Sequence, residues 1–139
     1  MKAERETLKE PGLKYGYRRE IEAPFAETVE KTRKALADEG FGVLTEIDLK
    51  EKFKEKLNVD FREYVILGAC NPPIAHSALA LDLDLGLLLP CNVIVYENGG
   101  VTVVATVDAT KMLSVTGNSN LETTAATVNE KLERALKSI

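Results

Sequence analysis

The chain has 139 residues, 45% of them apolar and 29% charged, with a formal net charge of −4. That is enough for one domain with its own core and too little for two ordinary ones. The acidic balance, with lysines and arginines scattered rather than interleaved with aromatics, excludes a general polyanion-binding surface, so nucleic acid is not expected as a partner.

Met1 to Glu10 is charged and lacks an apolar h-region, so no signal peptide is expected. Residues 1–12 read as a flexible N-terminal segment of a single domain spanning 1–139. Lys14 to Ile21 sets Tyr15, Tyr17 and Ile21 at odd positions, a weak period-of-two pattern for a first strand. Pro24 then opens a helix, because its missing N–H costs nothing at the first helical turn. Phe25, Val29, Thr32 and Leu36 share one face of it, and Gly40 supplies the stop.

Phe41, Val43 and Thr45 alternate as a second strand, and Asp48 can cap a charged helix running to about Leu57. The lysines and glutamates at 50–56 read as its solvated face. Tyr64 to Cys70 is a third, more apolar strand, ended by Asn71-Pro72-Pro73. Ile74 to Asp84 favours a helix with Ala75, Ala78, Leu79 and Leu83 on one face. The longest apolar stretch, Leu85 to Leu89 extended to Val95, is broken by Pro90 and Asn92. It falls well short of the roughly 20 residues a membrane helix needs.

Cys91 to Glu97 and Val101 to Ala109 form a hairpin about an expected Asn98-Gly99 turn, since a type I′ turn needs positive φ at both central positions. One side of this ribbon carries Ile94, Tyr96, Val101, Val103, Ala105 and Val107, and is expected to receive the two amphipathic helices. The other carries Cys91, Val93, Val95, Thr102, Val104 and Thr106, and should be covered by a second subunit, the 71–90 segment or a ligand. Thr110 to Ser119 reads as a polar loop. Asn120 is the expected N-cap of a last helix, whose stripe is Leu121, Ala125, Val128, Leu132, Ala135 and Leu136.

The two cysteines and the one histidine all fall between positions 70 and 91. Cys70, His76 and Cys91 are types that suit zinc or copper(I), with a fourth ligand to come from Asp82, Asp84, Met112 or another subunit. Their spacing matches no familiar finger or ribbon. A redox or nucleophilic thiol is the second possibility, with Cys70 lying just ahead of a helix start, though no CxxC is present. The plain alternative is two buried thiols that pack as small hydrophobes. Asp82 and Asp84 would not share a helical face, so a surface or capping role suits them better than paired-carboxylate catalysis.

The run Gly68-Ala69-Cys70-Asn71-Pro72, through Ala75, His76, Ala78, Leu79, Asp82 and Gly86 to Leu89-Pro90-Cys91-Asn92-Val93 and Tyr96-Glu97, resembles the family catalogued as domain of unknown function 302. The likeness runs from about Phe41 to Asp108. It implies a fold similar to the TATA-box-binding protein, and a small cytosolic protein that forms homodimers. It implies no established reaction, cofactor or catalytic residue. The fold class expected on both grounds is α+β. It has a curved antiparallel sheet of about five strands, two main helices on one face in β-α-β(4)-α order, and short extra helices between strands.

The functional expectation is a small, non-catalytic module binding a small molecule or a soft metal ion. Its pocket would be built from Cys70, Asn71, His76, Cys91, Asn92 and Thr106. The alternatives are a homodimeric assembly module without chemistry and a thiol redox protein. A cytoplasmic location and no membrane partner complete the expectation, with cysteines held as thiols.

Overall fold

The computed structural model describes residues 13–139; the segment 1–12, read above as flexible, lies outside the described residues. Five strands form one antiparallel sheet: β1 (Gly16–Ile21), β2 (Gly42–Asp48), β3 (Tyr64–Cys70), β4 (Cys91–Asn98) and β5 (Val101–Val107), in spatial order β1-β5-β4-β3-β2. Five helices join them: α1 (Phe25–Asp38), α2 (Leu49–Leu57), α3 (Pro72–Leu81), α4 (Ala109–Ser114) and α5 (Glu122–Lys137). With the short α2, α3 and α4 set aside, the order is the expected β-α-β(4)-α.

Period and capping explain the elements. In α1 the stripe Val29, Thr32 and Leu36 is buried together with Thr28 and Ala35. Gly40 takes φ +87°, a left-handed exit that favours glycine. The Asp48 carboxylate accepts the Glu51 N–H at 3.0 Å to start α2, whose charged face is exposed. Five of the six stripe positions fall in α5 and are buried there, and the sixth, Leu121, is buried in the turn just before it. Its last carbonyls, those of Leu136 and Lys137, each accept a hydrogen bond from Arg19 Nη1 at 2.8 Å. A cation at a helix C-terminus also opposes the helix dipole.

The core lies between the sheet and the helix layer. Tyr17, Ile21, Leu67, Ala69, Val93, Val95 and Val104 point from the strands toward Val29, Leu36, Leu121, Val128, Leu132 and Leu136. Each large aliphatic side chain buried here contributes about 1.5–3 kcal/mol of transfer free energy.

Four details of the hairpin and C-terminal region depart from expectation. The turn is Gly99-Gly100, with φ +54° and +94°, so Asn98 pairs with Val101 and Val93 with Thr106. Two glycines meet the left-handed requirement without any Cβ penalty, leaving Asn98 in the strand. Second, α1 and α5 pack on the Cys91, Val93, Val95, Val104 and Thr106 side, not on the Ile94 and Tyr96 side. Both sides of the ribbon are apolar, so hydrophobicity alone does not choose between them. The Thr102 hydroxyl donates to Ala23 O at 2.8 Å, which satisfies a polar group on the helix side.

Third, the expected 110–119 loop begins as α4, because the Asp108 carboxylate accepts the N–H groups of Thr110 and Lys111 at 3.0 and 3.2 Å. Fourth, Asn120 is not the cap of α5. Asn118 accepts its N–H at 2.9 Å and starts a short 3₁₀ turn, Ser119–Leu121, that leads into the helix. After α3 a second 3₁₀ turn, Leu83–Leu88, carries Leu83 outward rather than onto the expected helical face.

A buried polar knot holds α4 to α5. Asn129 Oδ1 accepts the Ala109 N–H at 2.7 Å, while Nδ2 donates to Asp108 Oδ1 at 3.0 Å and to Thr110 Oγ1 at 3.1 Å. Burial pushes the Asp108 carboxyl up, but hydrogen bonds from Asn129 and from the Lys111 and Thr110 amides, with the Lys111 charge, hold it below its ordinary value. Tyr17 joins the knot. Burial, then the charges of Asp108 and Glu133, push its hydroxyl up to about 12.

Candidate functional site

The six residues singled out from sequence fall in separate places. Asn71 caps α3, its Oδ1 accepting the Ile74 N–H at 3.4 Å, while Nδ2 donates to Glu39 O at the same distance. Cys70, Asn71 and Cys91 border one cavity of about 40 Å³ between the end of the sheet and helices α3, α4 and α5. His76 is exposed on α3 and does not line that cavity. Asn92 lies on the opposite side of the sheet, and Thr106 is buried beneath the two long helices.

The thiol cavity is a poor reaction site. Its lining is nearly all apolar, from Phe41, Ala69, Ile74, Ala78, Leu85, Met112, Leu113 and Val128. Cys91 is only 8% exposed. Burial, and secondarily the neighbouring Cys70, push its thiol up to about 11, so it is protonated at neutral pH and weakly nucleophilic. The cross-strand partner of Cys91 is Ala69, the neighbour of Cys70. Strand alternation directs Cys70 and Cys91 to opposite sides, and a disulfide between them would need backbone movement. Among the described residues no group of three or more His, Cys, Asp or Glu side chains is placed to hold a metal ion. Asp82 has a capping role, accepting the Asp84 N–H at 3.0 Å.

The helix-free side of the sheet offers more. A groove of about 450 Å³ runs along it, lined by Tyr15, Arg18, Tyr64, Asn92, Ile94 and Tyr96, with Ala105 and Val107 among the remaining lining residues. Tyr64 sits opposite Tyr96 across β3 and β4, and their rings stack with centroids 5.2 Å apart and planes 6° apart. The aromatic chain continues from Tyr64 to Phe61 at 6.1 Å and from Phe61 to Phe53 of α2 at 5.0 Å. Burial, then the neighbouring hydroxyls of Tyr96 and Tyr15, raise the Tyr64 phenol above its ordinary range. Tyr15 is 69% exposed at the groove's rim.

Of the groove residues, sequence reasoning marks Asn92 and Thr106, and the Thr106 side chain turns to the helix side of the sheet. The signal for the rest lay in the pairing of β1 with β5, which sets Arg18 opposite Ala105 and Glu20 opposite Val103. Two charges in alternate positions of β1 mark the side of the sheet without long helices.

The fold is that of a small α+β domain, an open five-stranded antiparallel sheet backed on one face by helices. The family model described as domain of unknown function DUF302 matches residues 17–139, and the chain belongs to that family. The match takes in β1, α1 and α5, beyond the stretch that carries the sequence resemblance. The chain is similar to a protein of known crystal structure, an uncharacterized conserved DUF302 protein from Bacillus stearothermophilus. The two share 31% sequence identity with a TM-score of 0.84, over 91% of this chain and 99% of that one. No curated protein matches the chain. Among the described residues no helix is long and apolar enough to cross a membrane.

Proposed function

We propose that this protein is a small, non-catalytic binding module whose ligand lies on the helix-free side of the sheet. The observation that carries this reading is the groove of about 450 Å³ with three tyrosines on its walls. Ligand pockets typically enclose about 300–1,000 Å³, lined by apolar and aromatic groups with a few placed polar ones. The thiol cavity, at about 40 Å³, has room for little more than a water or two. A soft-metal site there would lack a histidine, since His76 stands apart in solvent, and its two cysteines leave the strands on opposite sides.

A fluorescent apolar amine, N-phenyl-1-naphthylamine, tests the reading. It should bind saturably at one site per chain, and Tyr96→Ala should weaken it at least about fivefold while far-UV circular dichroism stays unchanged, as the loss of one stacking surface implies. Unsaturable binding, or an affinity indifferent to Tyr96→Ala, overturns it.

A second reading, homodimeric assembly, has its own observation. Leu83 and Leu87 are 85% and 89% exposed beside the half-exposed Leu81, an apolar tip on a chain whose other leucines of that segment turn inward. In this reading a second copy covers the tip. Light scattering on the native chain and on Leu87→Glu separates the cases. A dimer that the variant converts to monomer supports assembly, and a native monomer removes it.

A further inference from the structure

We infer that residues 72–89, which form α3 and the 3₁₀ turn Leu83–Leu88, are a lid that lifts as one unit from the thiol cavity while the sheet stays folded. The inference is independent of the open-face groove. Topology is the first reason. The segment leaves the sheet after Cys70 and returns at Cys91, and the β3–β4 ladder sets Cys91 opposite Ala69. Its two ends are therefore adjacent, and the strands stay paired whether the residues between them are docked or lifted.

Attachment is the second reason. Among the described residues, no hydrogen bond or ion pair joins 72–89 to any part of the chain beyond its own cap, Asn71. The bonds it makes turn inward: Ala78 O accepts the Asp82 N–H at 3.1 Å, and Gly86 O accepts the Leu89 N–H at 3.2 Å. Only Ala78 and Leu85 are buried, while Leu81, Leu83 and Leu87 face outward with the lid shut. Docking therefore buries little of the apolar surface that the segment carries. A segment held by few buried side chains and no polar ties opens at well below the cost of global unfolding. The opposite wall of the cavity is firmer. It comes from Ala109, Met112, Leu113 and Val128, on helices that the Asp108–Asn129 knot ties together. Lifting the lid uncovers that wall and the Cys91 thiol, which is buried when the lid is down.

Alkylation by iodoacetamide, in which the thiolate displaces iodide, tests the inference, with mass spectrometry assigning the adduct to Cys70 or Cys91. In the native chain the Cys91 rate should rise only weakly with urea below the unfolding transition. Its slope should be under about a quarter of the global one, since the slope follows the surface that opens. Leu85→Ala removes the larger of the two buried anchors and should speed Cys91 alkylation at least about tenfold without urea. Leu132→Ala weakens the docked and lifted forms alike, and should leave that rate within about twofold although it lowers global stability. A Cys91 rate that carries the full global slope in the native chain overturns the lid, and this arm needs no variant. Equal acceleration by Leu85→Ala and Leu132→Ala overturns it as well, because Cys91 would then be reached only through global unfolding.

Discussion

Asn129→Asp should destabilise the fold by about 3 kcal/mol near neutral pH and reverse the sign of its response to acid. Asn129 serves the knot in both directions, accepting from the Ala109 N–H and donating to Asp108 and Thr110. Aspartate keeps the shape and can only accept, so two carboxylates would face each other at a buried site. In the native chain the Asp108 carboxyl is held below its ordinary value of 3.8. Its stabilising contribution is therefore present above that value and lost as pH falls through the lower, folded-state one. In the variant each carboxylate raises the other, so protonation favours the folded state and stability returns as pH falls from about 7 toward 4. Urea unfolding at those two pH values reads the difference. Parallel losses in both proteins on acidification would contradict this account of the knot, which Tyr17, Glu133 and Lys111 also face.

Leu132→Ala should cost about 3 kcal/mol, within the range of 2–5 known for buried leucines. Leu132 is almost wholly buried on α5 and borders, with Leu36, Val93 and Val104, a void of about 10 Å³. Rigid strand residues on one side leave that void little freedom to collapse. Leu83→Ala, at the exposed tip, should change stability by less than about 0.5 kcal/mol. Denaturation midpoints with an unchanged urea slope would show both effects as true stability changes. Equal effects at the two leucines would mean that the tip is covered in solution.

The strands and the two long helices were legible in the sequence because each rests on a local signal. The buried stripe of α5, the Asp48 cap and the Gly40 exit all follow from spacing and residue type. The turn was misplaced by one residue at a Gly-Gly pair, but that error advances both strands together and leaves every side chain on its original side of the ribbon. The larger miss was the choice of side for the helices. Ile94, Tyr96 and Val103 are as apolar as Val93, Val95 and Val104, so the hairpin by itself holds no answer. The deciding information sits in Arg18 and Glu20, whose positions relative to the hairpin depend on a pairing between opposite ends of the chain. The same non-local pairing hid the groove, since Tyr15, Tyr64 and Tyr96 come from three strands. Cys70 and Cys91 did come near each other, but strand alternation, invisible until the β3–β4 register is known, sends them apart. Asn129 carried no sequence cue at all beyond a polar residue interrupting an apolar helix face.

That end-to-end pairing also bears on how the molecule reaches its native state. β1 and β2 are close in sequence yet occupy opposite edges of the sheet, and β1 finds its partner in β5, with Gly16 against Val107. During synthesis β1 leaves the ribosome before β5 and must wait for it. Closing so long a loop is entropically costly before any ladder bond repays it, and such non-local topologies fold slowly. The β4–β5 ribbon, closed by two glycines, has the shortest connection of the strand pairs and the lowest loop-closure cost, so assembly is expected to start there and reach β1 last.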